Sequence, residues 1–416
     1  MAPGLAADRG GVDLEQLTPS ALIKKHYADA KADQARIAVS DAPLSEHIRH
    51  SGPQGKIEPF TIVDDPSAWV AADYRGNEDA FIYRLTKQDL KEVEAAVATV
   101  ETKGLRIEGN LVHIQEAVPG RKDFPLPTLG PKLEQLREEV RIGRGFQLLR
   151  GFPVDTFTRL QTLIAYWGFG LHWGNVVPQN AKAHIVGHVK NIGHDVNAPL
   201  TRVYATPLAQ PVHTDSADMV ALLSLRLSKE GGLSSWSSSV SVHNELLRLG
   251  RKDLVEELVA PHWYVDRKGE TPPGKKEFYK QPIFNYYQGF LSSPYTATYY
   301  TLAQRHPEVP LLTQKQHEAL RMYNALALSD RLRLDLMLQP GDIQLLSNHT
   351  QLHTRSAFID YPEIDRRRHL MRLWVAPPNE RPLPDEYIEL WGSTKPGHRG
   401  GIFIGGTPLT VPLEAE

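Results

Sequence analysis

The chain has 416 residues, 41% hydrophobic and 23% charged, with 47 Lys+Arg against 49 Asp+Glu for a formal charge of −2. Ordinary apolar content excludes wholesale disorder, and near-neutrality excludes the overall basic field that would hold a nucleic acid by counterion release. There is no cysteine, which removes disulfides, thiolate zinc sites, iron–sulfur clusters and a cysteine nucleophile together, so any metal must sit on histidine and carboxylate.

In chain order, the N-terminal MAPGLAADRGGVDLEQL lacks a basic-then-apolar signal pattern, and no apolar run approaches the ~18 residues of a membrane span. A cytoplasmic location without a membrane partner is expected. Residues 1–110 are polar and broken by Gly and Pro, with one helix in TKQDLKEVEAAVATVETKG that Thr86 caps and Gly104 ends. They read as a partly helical N-terminal extension. Residues 111–416 read as one domain. PKLEQLREEVRIGRG is an amphipathic helix that runs into FQLLRGFPV, an apolar strand stopped by Gly151 and Pro153. TFTRLQTLIAYWGFG is a second helix with its cap expected near Thr156, and AHIVGHVKN, VYATPLAQPVHTD and DMVALLSLRLS follow as β-rich runs. A helix at VSVHNELLRLG comes next, then a helical insert around 295–330. Strands return in RLRLDLMLQPGDIQLLSN, broken by a Pro340–Gly341–Asp342 turn, then in TQLHTRSAF and RRRHLMRLWVAP. Many short strands with flanking helices, and no regular βαβ alternation, predict an α+β protein with a sandwich or jelly-roll core.

In PVHTDSAD, His213 and Asp215 lie two apart in an extended run, so period-2 alternation points both side chains to one sheet face. A histidine from a distant strand would complete a two-His-one-carboxylate triad, the set that suits iron(II) and leaves coordination positions open. Alone, His-x-Asp is weak evidence and reads first as a hydrogen-bonded turn. NHTQLHTRSAF then offers His349 and His353 on one strand face, and RRRHLMRLW places Arg368, Leu370 and Arg372 on one face of an apolar strand. A fork of positive charge beside a cavity is what a dicarboxylate requires, because guanidinium pairs with carboxylate bidentately and stays charged at any working pH.

From about Gly145 to Pro377 the ordered set LLRGFP, PVHTDSADMVALLSL, GGLSSWSS, PGDIQLLSN, NHTQLH and RRRHLMR resembles the taurine-dioxygenase (TauD/TfdA-like) family of iron(II)/2-oxoglutarate dioxygenases. The resemblance implies a double-stranded β-helix (jelly-roll) core flanked by helices, with iron(II), 2-oxoglutarate and O2 as cofactor and cosubstrates. It also implies that His213, Asp215 and His353 are the catalytic metal ligands, with His353 rather than His349 the distal one because it lies five residues after Asn348. Arg368 matches the arginine for the far carboxylate of 2-oxoglutarate. Ser234 matches the assisting hydroxyl, although serine replaces the usual threonine and Ser235 could serve instead. A linker longer than in the shortest members keeps Arg367 as a weaker alternative to Arg368. Arg372 matches the position that anchors the substrate's anionic group, and His172, Trp173, Gln179, Tyr204 and Asn348 are further candidates for substrate contact.

The activity so implied is oxidation of an unactivated C–H by hydroxylation, desaturation or cyclisation, with release of succinate and CO2. The substrate expected is a small anion, an amino acid or other small carboxylate, with taurine or another alkylsulfonate as the alternative. A zinc-dependent hydrolase would leave Arg368 without a use. A non-catalytic jelly-roll binding protein would be free to lose the ligand set. No nucleic-acid partner is expected, and a homo-oligomer is left open.

Overall fold

In the computed structural model, which describes residues 17–37 and 56–416, two β-sheets lie face to face as a jelly roll. The seven-stranded sheet contains β1 (Ile82–Arg84), β2 (Phe146–Arg150), β3 (Asn175–Val177), β4 (Gly187–Lys190) and β6 (Met219–Arg226), with β9 (Ile343–Ser347) and β11 (His369–Ala376). Its order is β1-β2-β9-β6-β11-β3, and β4 also pairs with β11. The four-stranded sheet contains β5 (Gln210–His213), β7 (Ser234–Ser238), β8 (Arg333–Leu336) and β10 (Gln351–Arg355), ordered β8-β7-β10-β5.

The central strands are apolar on both faces because both faces are covered. Leu149, Leu223, Leu345 and Leu373 pack outward with helices α2 (Lys87–Lys103), α3 (Leu129–Arg141) and α4 (Arg159–Trp173). Their neighbours Leu148, Leu346 and Trp374 point inward to Trp236, Leu334 and Leu336 of the smaller sheet. The outer face of that sheet is covered by α5 (Ser239–Arg248), α6 (Lys252–Val259) and α7 (Gln314–Ala327), where Val212 and Leu352 are buried. Because Val212 and Leu352 face outward, the next residues on their strands, His213 and His353, face the space between the sheets.

Thr86 and Asp89 form the capping box of α2, with Gly104 at its end. The cap of α4 is Thr158, paired with Gln161, not Thr156; the Thr156 hydroxyl is bound to Pro153 O in the preceding turn. The described residues before 110, expected as an extension, contribute elements to both layers. Its β1 joins β2 in parallel, and α1 (Pro19–Gln34) lies on α7, with the Tyr27 hydroxyl donating to Gln210 O of β5. The strands on either side of Pro340–Gly341–Asp342 belong to different sheets. The turn crosses between layers where Gly341, at φ 82°, lies so close to Phe152 that a Cβ would meet its carbonyl at 2.3 Å. Arg150 locks the crossing with 2.8 Å bonds to both oxygens of buried Asp342. The run VYATPLAQPVHTD is strand only over Gln210–His213, because Arg355 binds the carbonyls of Thr206 and Leu208 in place of a ladder partner.

Candidate metal centre

Strands β5 and β10 pair antiparallel with His213 directly opposite His353, and the imidazole centroids are 4.0 Å apart. Asp215 follows on the turn after β5. Its amide donates to Asn348 Oδ1 at 2.9 Å, and Asn348 Nδ2 donates to Ala217 O at 2.9 Å, so one buried amide side chain shapes the turn. Donor atoms of His213, Asp215 and His353 all lie within 4.8 Å of one another. The Nε2 atoms of His213 and His353 stand 3.9 and 3.7 Å from the Asp215 oxygens. These gaps are too long for hydrogen bonds, yet two ligand bonds of about 2.1 Å to one ion hold donors from about 3 Å apart at a right angle up to about 4.2 Å in line.

His213 Nδ1 lies 2.9 Å from Pro211 O. A carbonyl can only accept, so Nδ1 carries the proton and Nε2 keeps its lone pair for a metal. Burial, reinforced by the nearby His213, pushes His353 down to about 3. Burial would raise the Asp215 carboxyl, but Arg372, His353 and His213 outweigh it and hold the group at about 2. At neutral pH the set is therefore two neutral imidazoles and one carboxylate, which is the protonation state a divalent ion needs.

The three residues line a partly enclosed cavity together with side chains from both sheets. Arg368, Leu370, Arg372 and Trp374 of the β11 segment line it from one side, and Ser234 of β7 lies in its wall. The Arg368 guanidinium has no protein acceptor among the described residues; it lies over the Phe358 ring at 5.5 Å. Burial pushes it down to about 10. Gly232 makes room for this side chain: a Cβ there, at φ 77°, would come 3.0 Å from Arg368 Nε. Arg372 Nη1 is 3.2 and 3.4 Å from the two Asp215 oxygens, while Gln179 Oε1 accepts from its Nε at 2.7 Å. The Arg372 guanidinium also lies over the rings of Trp374 and Tyr204.

Among the sequence candidates, His213, Asp215, His353, Ser234, Arg368, Arg372 and Tyr204 meet in this cavity. Ser235 does not: it is the neighbour of Ser234 on a strand, so alternation turns it to the other face. Nor do His172 and Trp173, which are buried at the end of α4, His172 against Gly130 of α3 with Nε2 bound to Phe124 O. Gln179 and Asn348 stand behind the wall and act on the site through Arg372 and Asp215. His349 is bound to buried Asp218 at 2.8 Å, away from the triad. Arg367 bonds to the carbonyls of Tyr361, Asn191 and Pro362 and does not line the cavity.

Arg355 escaped the sequence reading. It lines the cavity two residues after His353, with its Nε buried and unpartnered, and burial beside Arg368 pushes its guanidinium well down. Two buried guanidiniums with so few acceptors call for an anion between them. The alternation already applied to Arg368 and Arg372 would have found it.

A jelly roll carrying two histidines and an aspartate beside a cationic cavity defines the class of mononuclear iron oxygenases. Sequence comparison agrees. Residues 111–374 match the family model described as "Taurine catabolism dioxygenase TauD, TfdA family", and the chain belongs to that family. It is an iron(II)/2-oxoglutarate-dependent dioxygenase. It is 31% identical over 294 residues to an FR-33289 synthase of Streptomyces rubellomurinus, covering 67% of this chain and 84% of that protein. It is 29% identical over 362 residues to the taurine hydroxylase-like protein SAT17 of Stachybotrys chartarum, covering 82% and 86%. The fold is shared with an asparagine oxygenase solved with Fe(II), 2S,3S-3-hydroxyasparagine and succinate, at TM-score 0.53 and 17% identity over 71% of this chain and 93% of that one. It is also shared with the non-heme iron oxygenase OrfP solved with Fe, at TM-score 0.50 and 13% identity over 71% and 93%. No helix among the described residues is long and apolar enough to cross a membrane.

Proposed function

We propose that His213, Asp215 and His353 hold the iron, that Arg368 with Ser234 takes the distal carboxylate of 2-oxoglutarate, and that Arg372 and Tyr204 meet a small anionic substrate. The observation that carries this reading is the convergence of three metal-competent donors in a cavity that also holds an arginine with no acceptor among the described residues. With both bound, iron(II) and 2-oxoglutarate supply the oxidising chemistry: O2 is consumed, 2-oxoglutarate becomes succinate and CO2, and one C–H of the substrate is oxidised.

The protein's own contribution is placement. Pro211 O fixes the His213 tautomer, and Asn348 fixes the Asp215 turn. Arg355 adds charge beside Arg368, so the far end of a dicarboxylate meets two guanidiniums in a desolvated site where charge-assisted bonds are strong. Arg372, held by Gln179 and by the faces of Tyr204 and Trp374, aims its charge at the metal side of the cavity. An amino acid or other small carboxylate is the substrate class proposed first. A taurine-like sulfonate is the second reading, favoured by the relative named for taurine hydroxylation. The proposed setting is the cytoplasm, with no nucleic-acid or membrane partner.

The test is anaerobic loading with iron(II) and 2-oxoglutarate, then exposure to O2 with a panel of amino acids and sulfonates while succinate is measured. One panel member should stimulate succinate release. A wild-type protein that binds no iron, or one whose succinate release survives His353→Ala, would end the reading.

A further inference from the structure

One wall of the cavity is made partly by an irregular segment, residues 191–209, that joins β4 to β5 and places Arg202, Val203 and Tyr204 in the lining. Little of it pairs with a sheet. A neighbouring turn, residues 266–270, holds it through side chains. Lys268 is buried, and its Nζ donates to Pro199 O at 2.8 Å and Thr201 O at 3.1 Å. Glu270 forms an ion pair with Arg202. Leu200 lies against Gly269, within 3.1 Å of where a Cβ would stand.

The turn itself is built to stay put. Asp266 receives bonds from Arg305 Nε at 2.7 Å, His306 Nε2 at 2.8 Å and the Lys268 amide at 2.7 Å. Lys268 adopts φ 54° and Gly269 φ 78°. A left-handed lysine is strained and persists where the surroundings over-determine it, commonly at functional sites. Burying its ammonium against two carbonyls adds a further cost. A hydrophobic residue would cover the same loop without either.

We propose that Lys268 and Glu270 are positioning residues that clasp the 191–209 segment along the cavity, and that Arg202, thereby fixed, donates to an oxygen acceptor at the end of the substrate remote from the iron. The inference rests on the proposed function for the meaning of the cavity. Glu270 takes one guanidinium nitrogen of Arg202, and the other N–H groups have no protein acceptor among the described residues. The Tyr204 ring is close to both cations, 5.9 Å from Arg202 and 5.3 Å from Arg372. A substrate bridging them carries an anionic group toward Arg372 and a carboxylate or amide oxygen toward Arg202.

The experiment compares full-length wild type, Lys268→Met, Lys268→Arg and Glu270→Gln. Trypsin cleavage after Arg202 is followed by mass spectrometry, and binding of iron(II) and 2-oxoglutarate by calorimetry without O2. Losing a bonded buried charge should speed cleavage about 10-fold or more in Lys268→Met, with partial rescue in Lys268→Arg and a smaller rise in the isosteric Glu270→Gln. Iron and 2-oxoglutarate affinities should stay within about 2-fold, since their residues lie on or next to β5, β7, β10 and β11 and outside the 191–209 segment. L-asparagine, L-arginine and taurine serve as probes, and with whichever stimulates succinate release Glu270→Gln should raise KM while kcat holds. Unchanged cleavage at Arg202 in both Lys268→Met and Glu270→Gln would overturn the clasp. So would cleavage that rises together with loss of 2-oxoglutarate binding, which marks general unfolding. Absence of iron binding in the wild type would instead overturn the proposed function and leave the cleavage result standing.

Discussion

The two walls of the cavity are built on different principles. The metal side is backbone-determined: His213 and His353 are opposite each other in a strand register, and slipping one strand by one residue would turn its imidazole to the other face and break the pair. The 191–209 side has almost no ladder and owes its shape to side chains reaching in from elsewhere, namely Lys268, Glu270 and Arg355. The difference separates what must be invariant for the chemistry from what can change with the substrate. Loops placed on a rigid scaffold are where specificity usually resides.

The comparison can be broken most decisively on the metal side. Substituting His213, Asp215 or His353 by Ala should abolish iron(II) binding and reduce succinate release to background, while the fold survives because each side chain faces a cavity rather than a packed layer. Calorimetry with iron(II) and circular dichroism check the two halves of that statement. Next in size, Arg368→Ala should raise the 2-oxoglutarate requirement about 10–100-fold, the value of a charge-assisted bond, with iron binding intact. Gly232→Ala should reproduce part of the loss through a 3.0 Å contact with the Arg368 side chain. Asn348→Ala, behind the turn, should weaken iron about 10-fold, as outer partners of metal ligands do. If iron affinity were unchanged, the Asp215 turn would be held by its backbone alone.

Protonation sharpens the same contrast. His353 at about 3 and Asp215 at about 2 are already deprotonated at neutral pH, so iron affinity should be nearly flat between about pH 6.5 and 8. Acid instead attacks the covering layers. Burial pushes His243 of α5 down to about 4, where its Nε2 meets the Tyr286 hydroxyl at 2.5 Å. A histidine depressed in the fold takes up its proton more readily when unfolded. Its stabilisation is therefore complete above about pH 6.5 and is lost as pH falls toward 4, up to about 3 kcal/mol. Chemical denaturation of His243→Gln against wild type across this range should show a flatter acid limb in the variant.

Much of the metal side was legible in the chain. The HTD spacing placed His213 and Asp215 on one face, and alternation placed Arg368 and Arg372 together; the choice of His353 over His349 came from family resemblance rather than from spacing. His349 and His353 lie on one predicted face, and only the fold shows His349 spent on Asp218. His172 and Trp173 failed as contacts because helix-end aromatics near a motif look alike whether they face a cavity or a neighbouring helix. Helix α1 went unread although Thr18 caps it and Pro19 opens it, because its apolar face is weak and its burial comes from α7 and Tyr27.

By itself, then, the sequence determined which side chains are available for the proposed binding of a ferrous ion and a dicarboxylate, and which local periods would carry them on strands. Tertiary structure alone decided which of two histidines faces Asp215, which serine of a pair reaches the cavity, and that a lysine and a glutamate near residue 270 hold a loop seventy positions earlier. The physical reason is range. Alternation and capping act over a few residues and can be seen in the string, whereas register, layer crossing and the pairing of buried charges depend on chain segments that meet only after folding.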